Sequence, residues 1–295
     1  MSSAAQPDAG PTGTTALVLG GGGVTGIAWE IGVLHGLRAG GGTLARALDA
    51  PALVVGTSAG SVVGTIVAAA ADAGPGWDLA PALAAQHAPP TSEIPRDIDL
   101  TALFERMSSV AATDPLEARR QVGEFALAVD RDVADDRRAA IAARLPVRDW
   151  PATTLRVTAV DARTGALTVF DAHSGVGLDE AVAASCAVPG VWPTVPIGDA
   201  EYMDGGMASL CHATLAAGHD RVVVLVPFPA EGSVGTRSLD DELAELRGTG
   251  AEIVVIGPDA EYLAGPGRAA LDPAGRSASA DLGGRLGRSV AVDHR

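Results

Sequence analysis

The chain contains no lysine, so arginine carries all of its permanent positive charge. Basic residues number 21 against 36 acidic ones, for a net charge of −15. That balance disfavours a role in gripping polyanions, because phosphate backbones are held by clusters of Lys and Arg. It also weakens electrostatic docking to anionic lipid headgroups. The pairs Arg119-Arg120 and Arg137-Arg138 are too few to make a nucleic-acid patch. Aromatic residues make up only 3%, so the core must be built from Ala, Val, Leu and Ile. The tryptophans at 29, 77, 150 and 192 are too dispersed for a stacking platform. The only cysteines, Cys186 and Cys211, make no disulfide framework and match no metal-ligand spacing. Buried free thiols in a reducing compartment are expected, with no metal and no cofactor. No uninterrupted run of about 18 apolar residues exists, so no membrane-spanning helix is expected. Met1 to Thr14 is polar, without the basic and apolar regions of a signal peptide, and reads as a disordered leader of a cytoplasmic protein.

Glycine, by contrast, is abundant at 37 residues, and three of its clusters fall where strand patterns end. Ala16 to Leu19 is an apolar run that stops at Gly20 to Gly23, after which Ile27, Ile31, Leu34 and Leu37 mark one helical face. A second run, Ala52 to Val55, leads into Gly56-Thr57-Ser58-Ala59-Gly60 and a small apolar helix over Val62–Ala71. Residues 73–150 read as a helical insertion or cap, with charged helical stretches near 99–110, 115–129 and 134–144. Strands return at Leu155–Val160 and Leu167–Phe170, joined by a hairpin-like turn. A short helix over Leu178–Cys186 follows, then a strand at Glu201 to Met203 that ends in Asp204-Gly205-Gly206. Arg221–Val226, 239–247 and Glu252–Ile256 read as strand, helix and strand. From 263 to 295 the Gly, Ala, Ser and Arg content predicts a weakly ordered tail. The alternation predicts one α/β domain over 15–262, a three-layer α/β/α sandwich on a mostly parallel sheet, with its site beyond the carboxyl ends of the strands.

Gly56-x-Ser58-x-Gly60 between a strand and a helix is a nucleophile-elbow pattern. The serine there occupies a sharp turn whose neighbours must lack bulky side chains. The helix that follows points its N-terminus at developing negative charge. Gly21, Gly22 and Gly23 offer backbone N–H groups for an oxyanion. The same run, Gly21-x-Gly23-x-x-Gly26, also fits a dinucleotide fingerprint, but Gly56 and Ser58 stand where that motif wants an acidic residue. Asp204, with Gly205 and Gly206 permitting close approach, is a carboxylate able to act as base toward a serine hydroxyl.

Taken in order, Gly20-Gly21-Gly22-Gly23-Val24-Thr25-Gly26, Gly56-Thr57-Ser58-Ala59-Gly60-Ser61 and Asp204-Gly205-Gly206 resemble the patatin-like phospholipase family. The segment Ala184 to Pro193 is similar to the one that precedes the aspartate strand in bacterial members. The resemblance covers about residues 15–257. It implies a Ser58–Asp204 dyad without a catalytic histidine, and an oxyanion loop at Gly21, Gly22 and Gly23. It also implies metal-free hydrolysis of fatty-acyl esters, phospholipids among them, through an acyl-serine at a transient membrane or micelle interface. Two positions depart from the family pattern. Thr25 stands where many relatives carry Arg or Lys, and Cys211-His212 where many have Asn, which leaves open what holds each turn. A catalytically weak lipid- or acyl-binding regulator on the same fold is the rival reading. Of the histidines, only His212 could reach the site; His35, His87, His173, His219 and His294 carry no motif. The acidic pairs Asp135-Asp136 and Asp240-Asp241 read as solvated helix faces.

Overall fold

The computed structural model describes residues 13–74, 77–89, 112–232 and 235–294. Eight strands form one sheet: β1 (Thr15–Leu19), β2 (Leu53–Thr57), β3 (Leu155–Asp161), β4 (Leu167–Phe170), β5 (Val195–Ile197), β6 (Ala200–Asp204), β7 (Arg221–Leu225) and β8 (Glu252–Ile256). The order runs β5-β6-β3-β2-β1-β7-β8, with β4 also on β3. The pairs joining β3, β2, β1, β7 and β8 are all parallel. Strands buried on both faces lose the polar alternation of a half-exposed strand and read as continuous apolar runs, as β1, β2 and β7 do.

The alternate side chains of β1 define the two faces. Leu17 and Leu19 join one large cluster, Ala16 and Val18 another. The first is covered by α1 (Gly23–Gly40), α3 (Ala59–Asp72) and α7 (Leu178–Ser185); a short α2 (Thr43–Ala47) follows α1. The second is covered by α8 (Leu239–Arg247) and the turn at Ala213–Ala216. Each large aliphatic side chain buried this way contributes about 1.5–3 kcal/mol relative to exposure. The result is a mixed α/β fold with a mostly parallel central sheet between helical layers.

Between 73 and 150 the described residues form α4 (Ala80–His87), α5 (Pro115–Leu127) and α6 (Ala134–Ala142). The expected helix near 99–110 lies outside the described residues. The described helices pack onto the rest of the domain. Ala82 and Leu83 of α4 and Ile141 of α6 join the first cluster, while Ala126 of α5 packs with Val160 and Met203. Most of the expected leader likewise lies outside the described residues; Thr14 is held by an N–H bond to Asp220 Oδ2 at 2.8 Å.

The tail expected to be weakly ordered is instead a short α9 (Ala260–Ala264) and a long α10 (Arg276–Asp293) laid along α1. The reading from composition failed for a definable reason. Glycines at 32 and 36 on α1 and at 283 and 287 on α10 let the two backbones touch. A Cβ at Gly32 would lie 2.2 Å from Ala280 O, and one at Gly287 would lie 2.1 Å from Val33 O. Glycine costs a helix about 1 kcal/mol relative to alanine. Here, close main-chain contact adds to the burial of Leu282, Leu286 and Val290 against the first cluster.

Glu30, in the middle of α1, is fully buried, and neither carboxyl oxygen has a hydrogen-bond partner. The nearby Gly20 N–H favours its charge slightly, but that donor is bonded to Leu225 O at 2.9 Å. Burial dominates and raises the carboxyl well above its ordinary value of 4.5. The folded state therefore keeps a proton that the unfolded chain releases. The associated stability is complete below pH 4.5 and is lost as pH rises toward the folded-state value. Glu30→Gln removes this dependence. Calorimetry should show the Tm of the variant gaining on wild type from pH 5 to pH 8, and a constant difference would contradict the buried neutral acid.

Candidate active site

Ser58 is the single residue between β2 and α3, with φ 51° and ψ −114°. This is a sparsely populated conformation for a residue with a side chain, and it must be held by its surroundings. The flanking glycines allow those surroundings to close in. A Cβ at Gly56 would stand 2.4 Å from Gly60 O, and one at Gly60 would stand 2.0 Å from Leu19 O. Four donors or acceptors then fix the Ser58 peptide. Its carbonyl accepts from Ser61 N at 2.9 Å, Ser61 Oγ at 2.7 Å and Cys186 Sγ at 3.3 Å. Its N–H donates to Ser185 Oγ at 2.8 Å. Ser185 and Cys186 are thus elbow supports that sequence reasoning missed; Cys186 reads from the sequence only as a buried thiol. The available signal was the Ala184-to-Pro193 segment, whose role spacing alone does not disclose.

Asp204 reaches Ser58 through strand register. β2 pairs with β3 up to Thr57 opposite Thr158. β6 takes over at the next residue, Asp204 opposite Ala159. Since β4 occupies the other edge of β3 over the same residues, β2 and β6 meet end to end on one edge. The last residue of β6 therefore lies beside the residue that follows β2. The Thr57 and Thr158 hydroxyls, 2.8 Å apart, pin the junction.

The Asp204 carboxyl is buried, 3% exposed. Oδ1 accepts from Gly206 N at 2.8 Å, while Oδ2 lacks a well-formed hydrogen bond. Burial pushes the carboxyl up to about 6. The Ser58 hydroxyl, the Gly206 amide and the Arg137 guanidinium oppose that shift. Arg137, from α6, lies over the Trp192 ring at 4.1 Å. Sequence reasoning weighed it only against nucleic-acid binding, yet it is a cation whose field reaches the buried carboxyl.

His212 answers what holds the aspartate turn. It sits in the left-handed region at φ 54°, ψ 39°, and its Nε2 lies 3.0 Å from Gly205 O. A carbonyl can only accept, so Nε2 carries the proton. Burial pulls the ring down to about 4, so it stays neutral near pH 7. The ring is spent on the turn; it is not offered to the Ser58 hydroxyl. The His212 backbone N–H donates to Ser209 Oγ at 3.0 Å, and the buried Glu242 accepts from Ala213 N at 2.8 Å.

The glycine loop runs alongside Ser58: a Cβ on Gly21 would lie 3.7 Å from the Ser58 Cβ. Its donors differ from the expectation in one respect. The Gly21 N–H is committed to Leu210 O at 2.8 Å, so it is no oxyanion donor. Among the described residues, Gly22 and Gly23, at the N-terminus of α1, have no such backbone partner. Gly23 needs to be glycine, because its φ is 62° and a Cβ would meet Ala270 O at 2.5 Å. Among the described residues no cluster of His, Cys, Asp and Glu could hold a metal.

Among solved structures the fold is similar to VipD from Legionella pneumophila, with a TM-score of 0.44 and 12% identity over 96% of this chain and 67% of that one. It is similar to the type III effector ExoU, with a TM-score of 0.44 and 16% identity over 97% of this chain and 54% of that one. A second ExoU structure, from Pseudomonas aeruginosa in complex with SpcU, gives 0.34 and 17% over 94% and 52%. This chain thus spans about two thirds of VipD and about half of ExoU. No curated protein matches the sequence. The family model for patatin-like phospholipases matches residues 17–216, which contain the glycine loop, the Ser58 elbow and the Asp204 turn; the chain belongs to the patatin-like phospholipase family.

Proposed function

We propose that the protein is a lipid acyl hydrolase of the phospholipase A, lysophospholipase or esterase type, with Ser58 as nucleophile and Asp204 as base. The observation that carries this reading is the strained Ser58 elbow beside a buried carboxylate whose Oδ2 is left without a full hydrogen bond. Oδ2 takes the Ser58 proton as Oγ attacks the acyl carbonyl, and the carbonyl electrons move onto the oxyanion. The Gly22 and Gly23 amides hold that charge, aided by the positive helix ends of α1 and α3. As the intermediate collapses, the leaving alcohol takes the proton from Asp204 and the acyl group stays on Ser58. Water then attacks, again giving its proton to Asp204, and the fatty acid leaves as Ser58 recovers its hydrogen. A base near pKa 6 is well matched to this cycle at neutral pH.

A groove of about 600 Å³ supports an acyl substrate. Its apolar wall includes Val24 and Ile27 of α1, Val62 and Ile66 of α3, Ala82 of α4 and Leu145. Along α3 its lining runs from Val62, one helical turn after Ser58, to Ala70, a helical span of roughly 12 Å; Ser58 and Asp204 themselves do not line it. The insertion thus supplies one wall of the groove. Among the described residues no helix is long and apolar enough to cross a membrane. We propose that access to lipid is transient and interfacial, from a cytoplasmic pool.

Hydrolysis of p-nitrophenyl esters of graded chain length tests the reading. Ser58→Ala and Asp204→Asn should each lose at least about 10³-fold in kcat/KM. The wild-type kcat/KM should fall as pH drops through about 6, where Asp204 takes up its proton. A folded wild type that turns over no ester, or an Asp204→Asn that stays active, sinks the proposal. Ala69→Phe, which fills the far part of the groove, should move the chain-length optimum to shorter esters while leaving short-chain turnover intact. His212→Asn should retain most activity, since Asn tolerates the left-handed region and can donate to Gly205 O. His212→Ala leaves that carbonyl unpaired and should cost about 1–3 kcal/mol in unfolding measurements. Neither change should move the pH limb near 6; a shift of that limb in His212→Asn would make the histidine the base.

A further inference from the structure

The N-terminus of α1 carries the glycine loop, yet no side chain caps it. A helix start leaves about four backbone N–H groups without intrahelical partners. Gly26 N is the first to bond within the helix, to Gly22 O at 2.9 Å. One of the orphans, Thr25 N, is taken from outside by Ala270 O at 3.1 Å. That leaves the Gly22, Gly23 and Val24 amides open to an acceptor lying at the helix start.

Ala270 belongs to the stretch between α9 and α10, and that stretch together with α9 grips the loop at further points. The Thr25 hydroxyl, fully buried, lies 3.3 Å from the Tyr262 hydroxyl. A Cβ at Gly275 would stand 2.8 Å from Thr25 Cγ2. Leu271 Cδ2 would lie 3.1 Å from a Cβ at Gly23, and Leu271 also packs on the Val191 and Trp192 cluster. Tyr262 cannot easily yield. It is fully buried between Trp29 at 5.8 Å and Phe228 at 6.2 Å between ring centroids, and Asp259 Oδ1 accepts from its N–H at 2.8 Å. On the other side of the loop, Pro227 fills the space beside Gly22 and Gly26.

We propose that residues 259–275 are a positioning element for catalysis, in which Tyr262, through Thr25, and the Ala270 carbonyl hold the first turn of α1 so that the Gly22 and Gly23 amides stay aimed at the oxyanion. The segment lies wholly outside the stretch 17–216 matched by the family model. It supplies from within this chain what the small, uncharged Thr25 cannot supply alone. Neither Tyr262 nor Thr25 touches the reacting atoms; both act through the loop. The inference rests on the serine-hydrolase reading for its catalytic consequence, but its structural half stands without it.

Two isosteric variants of the full chain test it, Tyr262→Phe and Thr25→Val. Each removes one hydroxyl and keeps the packing. The expected result is a fall in kcat of about tenfold, smaller than the 10²–10³ that follows outright loss of an oxyanion donor, with KM within twofold. Affinity for an acyl trifluoromethyl ketone, which forms a tetrahedral adduct, should fall by the same factor, while inhibition by the free fatty acid stays unchanged. The double variant should be no worse than either single one, because both break the same contact. Hydrogen exchange of a peptide covering residues 20–30, followed by mass spectrometry, should show faster exchange in both variants. A purely structural role would lower Tm and leave the kcat-to-KM split and the ketone affinity untouched, and that outcome overturns the proposal. Unchanged exchange in both variants overturns it as well, whether or not the wild type hydrolyses esters. An inert wild type whose loop nevertheless loosens in the variants would keep the brace and refute the hydrolase.

Discussion

The meeting of β2 and β6 on one edge of β3 is the constraint on which the site depends. Two strands that run in opposite directions share that edge in succession, one ending at Thr57 and the other at Asp204. No loop has to find its way to the serine, because backbone ladders on consecutive residues of β3 bring the two side chains together. The sheet does the positioning, and a register slip of one residue would turn Asp204 to the opposite face. The layers of helix on either side matter to function chiefly because they keep that sheet intact.

Around this junction the polar groups divide into two kinds. Some are spent on geometry: the Ser185 and Cys186 side chains on the Ser58 peptide, the neutral His212 ring on Gly205 O, and the Gly21 amide on Leu210 O. Others are left with capacity to spare, namely Asp204 Oδ2 and the amides at the start of α1. An acyl-transfer site needs both, since rigidity without free donors cannot stabilise a developing charge, and free donors without rigidity must reorganise first. Unsatisfied polar groups are costly in a fold. Their concentration beside a strained serine is consistent with a site whose complement is the reacting ester.

Much of this was legible from residue order. The apolar runs at Ala16 to Leu19 and Arg221 to Val226 are continuous because parallel strands are buried on both faces, and they emerged where expected. The glycines at 56 and 60 announced the elbow, because close approach to Leu19 and to the next helix forbids a Cβ. What stayed hidden depends on distant partners. The Gly21 amide looks free until Leu210, far along the chain, is set against it. Which carbonyl the His212 ring serves, Gly205 O, is visible only in the fold. The final helix misled most, since a sequence poor in large apolar residues normally cannot compensate the entropy of ordering. Glycine-to-glycine contact with α1 is a way round that rule, and single-sequence periodicity carries no sign of it.

That glycine contact also sets a schedule for synthesis. The face of α1 that bears Gly32 and Gly36 is covered by α10, more than 230 residues later. Chains fold from the N-terminal end as they emerge from the ribosome, and pairings of such long sequence separation close slowly. The nascent sheet can therefore assemble around β1 and β2 while one side of α1 still shows bare main chain to water. The stretch that clasps the glycine loop arrives just before α10. A chain whose sheet has assembled thus passes through a stage with the serine in place but the loop unclasped, and the loop settles only when residues 259–275 reach it.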